Sequence, residues 1–204
     1  MIKVERVNSY ADRRFCDKVL KQHGAFLING SDPYEVEIIS KSDAVVRGEN
    51  PEFFNNVIEE FRFYAEHITK FWDGANNLIK TYDEITIFQI PIKKIQPSQF
   101  FVDISKKEVV STFVNAEEDI VIPLIKWKEQ YAALDGHTRL QVAIDKGFDY
   151  VYGFISETSD YINYFIEEAI KREVHSPYDI IELEHDEYEV KWNHFCEMYF
   201  ANQE

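Results

Sequence analysis

The chain has 204 residues, 45% of them hydrophobic, with 16 Phe and 12 Tyr, and a formal net charge of −15. That composition is a folded globule in which aromatic side chains do much of the packing, and it excludes a disordered chain. Acidic residues outnumber basic ones by 37 to 22, which argues against a nucleic-acid partner, whose phosphates need Lys and Arg.

No apolar run approaches the ~20 residues of a membrane span, and the charged start (Lys3, Glu5, Arg6) lacks a signal-peptide core. The expectation is a cytoplasmic protein with no membrane partner. Cys16 and Cys196 are expected to be reduced and to serve as buried packing residues.

In chain order, residues 11 to 23 predict a partly amphipathic helix with Phe15, Val19 and Leu20 on one side, ended by Gly24. Ala25 to Ile28, Tyr34 to Ile39 and Ala44 to Val46 predict a small antiparallel sheet, with a turn over Asn29 to Pro33. Asn50-Pro51 supplies a cap and a first-turn proline. The stripe Phe54, Ile58, Phe61, Ala65, Ile68, Trp72 then predicts one long helix. Its other face, Glu59, Glu60, Arg62, Glu66, His67 and Lys70, reads as solvated.

The polar stretch 76 to 84 marks a boundary, giving an N-terminal α+β unit over 1–82, a motif-bearing domain over 83–155 and a helical extension over 156–204. In the second part, Ile85 to Ile92 predicts a strand, and Ser105 to Glu108 a capping box opening a short helix to about Val114. Ile120 to Trp127 and Tyr131 to Leu134 predict paired strands, followed by a helix ending at Gly147 and a strand over Tyr150 to Ile155. In the third, Ile162 to Ile170 forms a helical stripe, Ser176-Pro177 opens a short helix over Tyr178 to Glu182, and Tyr188, Trp192, Phe195, Cys196 and Tyr199 give a last helix an aromatic face.

The stretch with the most chemical content is Tyr131 to Gly147, a strand, a turn at Asp135-Gly136 and a helix. In such a unit the amides of His137, Thr138 and Arg139 sit unpaired at a helix N-terminus, where the dipole favours an anion, and Arg139 adds a forked charged donor. That is a phosphate-binding arrangement. Asp135 has two roles open to it: capping the helix, or holding Mg²⁺ or taking a proton beside bound phosphates. The dipole lowers the His137 pKa, which leaves a neutral imidazole and an imidazolium both open. His175, His185, His194 and Cys196 match no common zinc spacing, so no metal site is expected of them.

Asp135-Gly136-His137-Thr138-Arg139, together with Ile90-Pro91-Ile92-Lys93-Lys94-Ile95-Gln96-Pro97-Ser98, resembles the two signature blocks of the ParB/sulfiredoxin-like superfamily. The resemblance covers roughly residues 85 to 155. It implies an α+β fold with a ParB/sulfiredoxin-like mixed sheet, ATP or ADP as cofactor, with Mg²⁺, and phosphate contacts from Gly136, His137, Thr138 and Arg139. Its free-serine-kinase-like members imply a phosphotransferase acting on a small hydroxylated molecule, with Asp135 as catalytic residue.

The departures from that pattern are specific. Gly136 stands where sulfiredoxins need Cys, so their thiol chemistry has no residue here. The ParB box for CTP and its DNA-binding helix-turn-helix have no counterpart. Gln99 stands where the kinases carry an acidic residue after the Ile-x-Pro turn, leaving Ser98, Gln99 and Asp103 as the further candidates. A non-catalytic nucleotide-sensing or protein-interaction module is the alternative, and a ParB-like DNA-associated protein the third, held down by the charge.

Overall fold

The computed structural model describes residues 2–158 and 160–202. The chain is α+β and divides into two compact units, Met1–Ile85 and Thr86–Glu204.

The first unit contains β1 (Val4–Arg6), α1 (Asp17–Lys21), β2 (Ala25–Ile28), β3 (Asp32–Ile38), β4 (Asp43–Gly48), α2 (Phe54–Arg62), β5 (Lys70–Asp73) and β6 (Leu78–Thr81). Its six strands lie in chain order in one sheet, antiparallel except for the parallel pair β4–β5. The β2–β3 hairpin turns through Asn29 and Gly30, with φ of 52° and 80°, the left-handed pair that a tight hairpin needs. Phe54, Val57, Ile58 and Phe61 of α2 close on Phe26, Ile28, Tyr34, Val36 and Val46 of the sheet to form the core.

Four expectations fail in this unit. The long helix ends at Arg62, and residues 70 to 73 are a strand. Ala65, Ile68 and Phe71 are still buried in the same core, so the apolar stripe is satisfied by a turn and a strand. The β-branched and aromatic run Ile68, Thr69, Phe71, Trp72 suits a strand. The amides of Thr69 and Lys70 donate to the Ser42 carbonyl at 2.9 Å, and the Trp72 indole donates to Asp43 at 3.0 Å. His67, expected on a solvated face, is buried with this turn. The first helix spans only Asp17–Lys21, and Cys16 precedes it as an exposed residue, not a packing one.

The second unit contains β7 (Phe88–Pro91), β8 (Ile95–Gln96), β9 (Phe101–Asp103), α3 (Ile104–Ser111), β10 (Val121–Trp127), β11 (Gln130–Ala133), α4 (His137–Asp145), β12 (Tyr150–Ile155), α5 (Tyr161–Lys171), β13 (Ile181–Leu183), α6 (His185–Tyr188) and α7 (His194–Ala201). Five strands form a mixed sheet in the order β7-β12-β10-β11-β8. β10 runs antiparallel to β11 and parallel to β12. β9 and β13 form a separate parallel pair.

Successive residues of a strand face opposite sides of a sheet. Ala133 and Leu124 accordingly pack with Val110 of α3 and with Leu140 and Ala143 of α4, whereas Ala132 and Ile125 pack with Ile162 and Ile166 of α5. Helices therefore cover both faces. The capping expectation at Ser105 is corrected: Asp103 caps α3, its carboxylate accepting from the amides of Ser105 at 2.8 Å and Lys106 at 3.3 Å. The short helix expected over Tyr178 to Glu182 is a single 3₁₀ turn over Pro177–Asp179, followed by β13. β13 forms because β9 offers it a free edge. Beyond it, residues 185–201 form one helical run with a π segment at Glu189–Asn193. Its Trp192 and Phe195 close on Phe100 at ring-centroid distances of 4.9 and 5.2 Å.

Candidate functional site

The second unit turns from β11 into α4 through Gly136, which takes φ +83°. A side chain there is excluded twice. The left-handed conformation disfavours L residues, and a Cβ would stand 2.5 Å from the Ile122 Cδ1 atom. The turn leaves the amides of His137, Thr138 and Arg139 at the open end of α4, and the first helical bond runs from the Leu140 amide to the Gly136 carbonyl at 3.0 Å. Among the described residues no side chain caps this end. At the other end Gly147 (φ +74°) and Phe148 close α4, donating to the carbonyls of Ile144 and Ala143, each at 2.9 Å.

Asp135 does not cap the helix. Its side chain is 75% exposed, with Oδ2 3.7 Å from the Arg139 guanidinium. Crowding by neighbouring protein atoms raises its pKa. The Arg139 charge, the Gly136 amide and the charges of His137 and Lys106 outweigh this and hold the carboxyl below its ordinary range. Arg139 also donates to the Val121 carbonyl at 3.1 Å, which anchors one arm of its fork. Thr138 is half-buried at the first turn.

His137 is buried. Its Nε2 accepts from the Ser98 amide at 3.1 Å, while the Ser98 hydroxyl donates to the Ala133 carbonyl at 2.7 Å. An Nε2 that accepts from an amide carries no proton, so the ring proton sits on Nδ1. Burial, with the charges of Arg139 and Lys106 adding to it against the opposing pull of Asp135, pushes the pKa down to about 4. The alternative left open by sequence is thereby resolved as the neutral imidazole. Nδ1 is itself buried with no hydrogen-bond partner among the described residues.

Ser98 is thus brought to the motif, and Gln99 and Asp103 are engaged elsewhere. The Gln99 amide donates to the Phe101 carbonyl at 2.5 Å and to the Tyr188 hydroxyl at 3.1 Å. Asp103 spends one carboxylate oxygen on α3 and presents the other to His185 Nδ1 at 2.7 Å. Lys106, in the first turn of α3, carries no motif signal in the sequence, yet its charge acts on both Asp135 and His137. Only the capping box at Ser105, which puts Lys106 in a first turn, hinted at it. Asp135 is thus an exposed, ionised carboxylate beside the uncapped first-turn amides of α4.

The histidines weighed as metal ligands are dispersed. His185 pairs with Asp103, the His194 ring stands 3.7 Å from Glu197, and the His175 amide donates to Asp179. No cluster of three or more such ligands occurs among the described residues. No helix among them is long and apolar enough to cross a membrane.

No protein-family model and no curated protein matches the chain. Among solved structures, the chain has a likeness to protein Atu1540 from Agrobacterium tumefaciens, at 14% identity and a TM-score of 0.35, covering 48% of this chain and 62% of that one.

Proposed function

We propose that the second unit is a ParB/sulfiredoxin-like nucleotide-binding domain that takes the phosphates of ATP or ADP at the N-terminus of α4. The observation that carries this is the buried, neutral His137 next to three uncapped first-turn amides. An unpaired buried donor is costly, by about 1–3 kcal/mol, and an anionic oxygen is the acceptor that a helix N-terminus draws in. Arg139 and Lys106 supply the positive charge that a di- or triphosphate requires. In this reading Gly136 lets the backbone approach the ligand, and His137, Thr138 and Arg139 donate to it.

One observation favours turnover over passive sensing. Asp135 is ionised and exposed beside the phosphate cradle, where it can hold Mg²⁺ and serve phosphoryl transfer to a small hydroxylated molecule. A nucleotide-sensing or interaction module would have no use for that charge so close to bound phosphates. The net charge of −15 sets both readings above a DNA-associated role.

The test is a thermal-shift screen with ATP, ADP, CTP and GTP, with and without Mg²⁺. A ligand present at 100 times its Kd stabilises the folded state by about 2.7 kcal/mol, a shift of several degrees for a unit of this size. ATP or ADP should raise the melting temperature of the parent by clearly more than that of Arg139→Ala. Equal behaviour of the two proteins, or no shift with any nucleotide, contradicts the proposal.

A further inference from the structure

The first unit leaves one edge of its sheet open beside a groove. Among the described residues β1 is the outer strand, bonded to β2 alone. Val7 donates to the Ala25 carbonyl at 2.8 Å and Asn29 to the Lys3 carbonyl at 2.9 Å, so the pairs Val4↔Ile28 and Arg6↔Phe26 fall between bonded ones. Bonded and non-bonded pairs alternate along an antiparallel ladder. The N–H and C=O groups of Val4 and Arg6 therefore point away from β2, to the open edge.

Side chains alternate as well, which puts Ile2, Val4 and Arg6 on one face of the strand. On that face Ile2 and Val4 line a groove of about 540 Å³ together with Asn55, Asn56, Glu59 and Glu60 of α2. Lys3 also borders it, but its ammonium is spent on Glu5 at 2.7 Å. Arg6 stacks over the Tyr64 ring at 4.3 Å, so β1 runs alongside α2 and past its end.

The wall that α2 presents is not fully engaged. Glu59 receives Lys80 and the Tyr82 hydroxyl. Glu60 is half-buried, and among the described residues its carboxylate has no hydrogen-bond or ion-pair partner. Asn56, Glu60 and Phe63 follow at steps of four and three, which places them on one side of the helix. Phe63 keeps helical angles (φ −59°, ψ −30°) and is 84% exposed, the most exposed large hydrophobic side chain among the described residues. One exposed phenyl is ordinary on a surface. Here it stands in a row with an unpaired carboxylate, beside a strand edge that offers backbone donors and acceptors.

We propose that this edge binds an extended segment of a partner protein, which adds to β1 as a seventh strand and turns alternate side chains towards α2. A basic side chain meets Glu60, and an apolar one two residues from it meets Phe63. The spacing fits: alternate residues of a strand stand about 6.8 Å apart, while Asn56 to Glu60 rises about 6 Å and Glu60 to Phe63 about 4.5 Å along the helix. Pairing with the Val4 and Arg6 backbone supplies affinity, and the α2 wall supplies specificity. A second copy of this chain fits the edge badly. Two-fold pairing of β1 with β1 sets the Glu59 and Glu60 carboxylates of both copies against one another across the groove, whereas a basic segment neutralises them.

The experiment uses synthetic seven-residue peptides of Thr and Val, with fluorescence polarisation against the full chain. One carries Lys and Leu two residues apart, a second carries them three apart, and a third has Glu in place of Lys. The first should bind at least about 10-fold more tightly than either of the others, because a one-residue slip turns a side chain to the other face and a like charge repels. Glu60→Lys should weaken it at least about 10-fold and transfer the preference to the Glu peptide. Phe63→Ala should weaken it by about 5- to 30-fold. On binding, the amides of Val4 and Arg6 should gain protection from hydrogen exchange, while those of Glu5 and Val7, which face β2, change little. Glu60 and Phe63 contribute no side chain to the buried core, so both variants keep the fold. The inference is overturned if none of the peptides binds at millimolar concentration, if binding is indifferent to spacing, charge and both substitutions, or if protection develops away from β1. A dimer in sedimentation that protects the Val4 and Arg6 amides without peptide also overturns it, because a second copy then covers the edge.

Discussion

Acidification should weaken the second unit through one residue. His137 has a pKa of about 4 in the fold against 6.5 for the ordinary imidazole. The unfolded chain therefore takes up a proton near pH 6.5 that the folded chain refuses until about pH 4. Because the folded pKa is the lower, this contribution is fully present above pH 6.5 and is lost as the pH falls towards 4. At 1.36 kcal/mol per pKa unit, the difference of 2.5 units amounts to about 3 kcal/mol. The perturbation is His137→Gln, whose amide oxygen can still accept from the Ser98 amide and which does not titrate. Urea unfolding, followed by fluorescence of Trp127 and Trp192, is run on both proteins at pH 7.5 and pH 4.5. Groups common to both, among them Asp103 and His185, cancel in the difference. The parent should lose about 2 to 3 kcal/mol more than the variant between the two pH values. An equal loss, or a His137 pKa near 6.5 by NMR titration, refutes the buried neutral imidazole.

Gly136→Ala forces an L side chain into the left-handed region and against Ile122, and should destabilise the second unit by about 2 to 4 kcal/mol in the same urea assay. Arg139→Ala should weaken ADP binding by about 10- to 150-fold in calorimetry with the fold intact, since it removes a charge-assisted contact. Asp135→Asn should retain nucleotide binding, and if the site turns over, the rate of ADP formation should drop by at least about 100-fold. A DNA duplex at physiological salt should give no tight gel shift, given the excess of acidic residues.

Legibility from the sequence followed the locality of the signal. Tyr131 to Gly147 was readable because its punctuation is local: a strand, a glycine with a left-handed φ, a helical stripe and a second such glycine. The β10–β11 hairpin, β12 and α5 were readable for the same reason. The stripe from Phe54 to Trp72 misled because spacing reports which residues are buried, and Ala65, Ile68 and Phe71 are buried without being helical. Strands β1 and β13 are short and gain their bonds from partners distant in sequence, and β5 takes half of its bonds from β4, so no local pattern marks them; β6, the edge strand of the β5–β6 hairpin, lies in the polar stretch that reads as a boundary.

At the site, residue types were readable and pairings were not. Ser98 was named as a candidate, but its bond to His137 spans 39 residues. The Asp103–His185 bond spans 82, a pairing that no local pattern marks. Ser105 fits the capping-box pattern, but the helix starts two residues earlier, where Asp103 accepts from the amides of Ser105 and Lys106.

The claim that nucleotide phosphates bind at the start of α4 is tested most directly by a ¹⁵N–¹H NMR titration of the full chain with ADP and Mg²⁺. The account predicts that the amides of His137, Thr138 and Arg139, and the His137 Nδ1–H, show the largest saturable shifts, and that Arg139→Ala needs about 10- to 150-fold more ADP to reach them. Shifts that centre elsewhere in the chain, or none at millimolar ADP, contradict it.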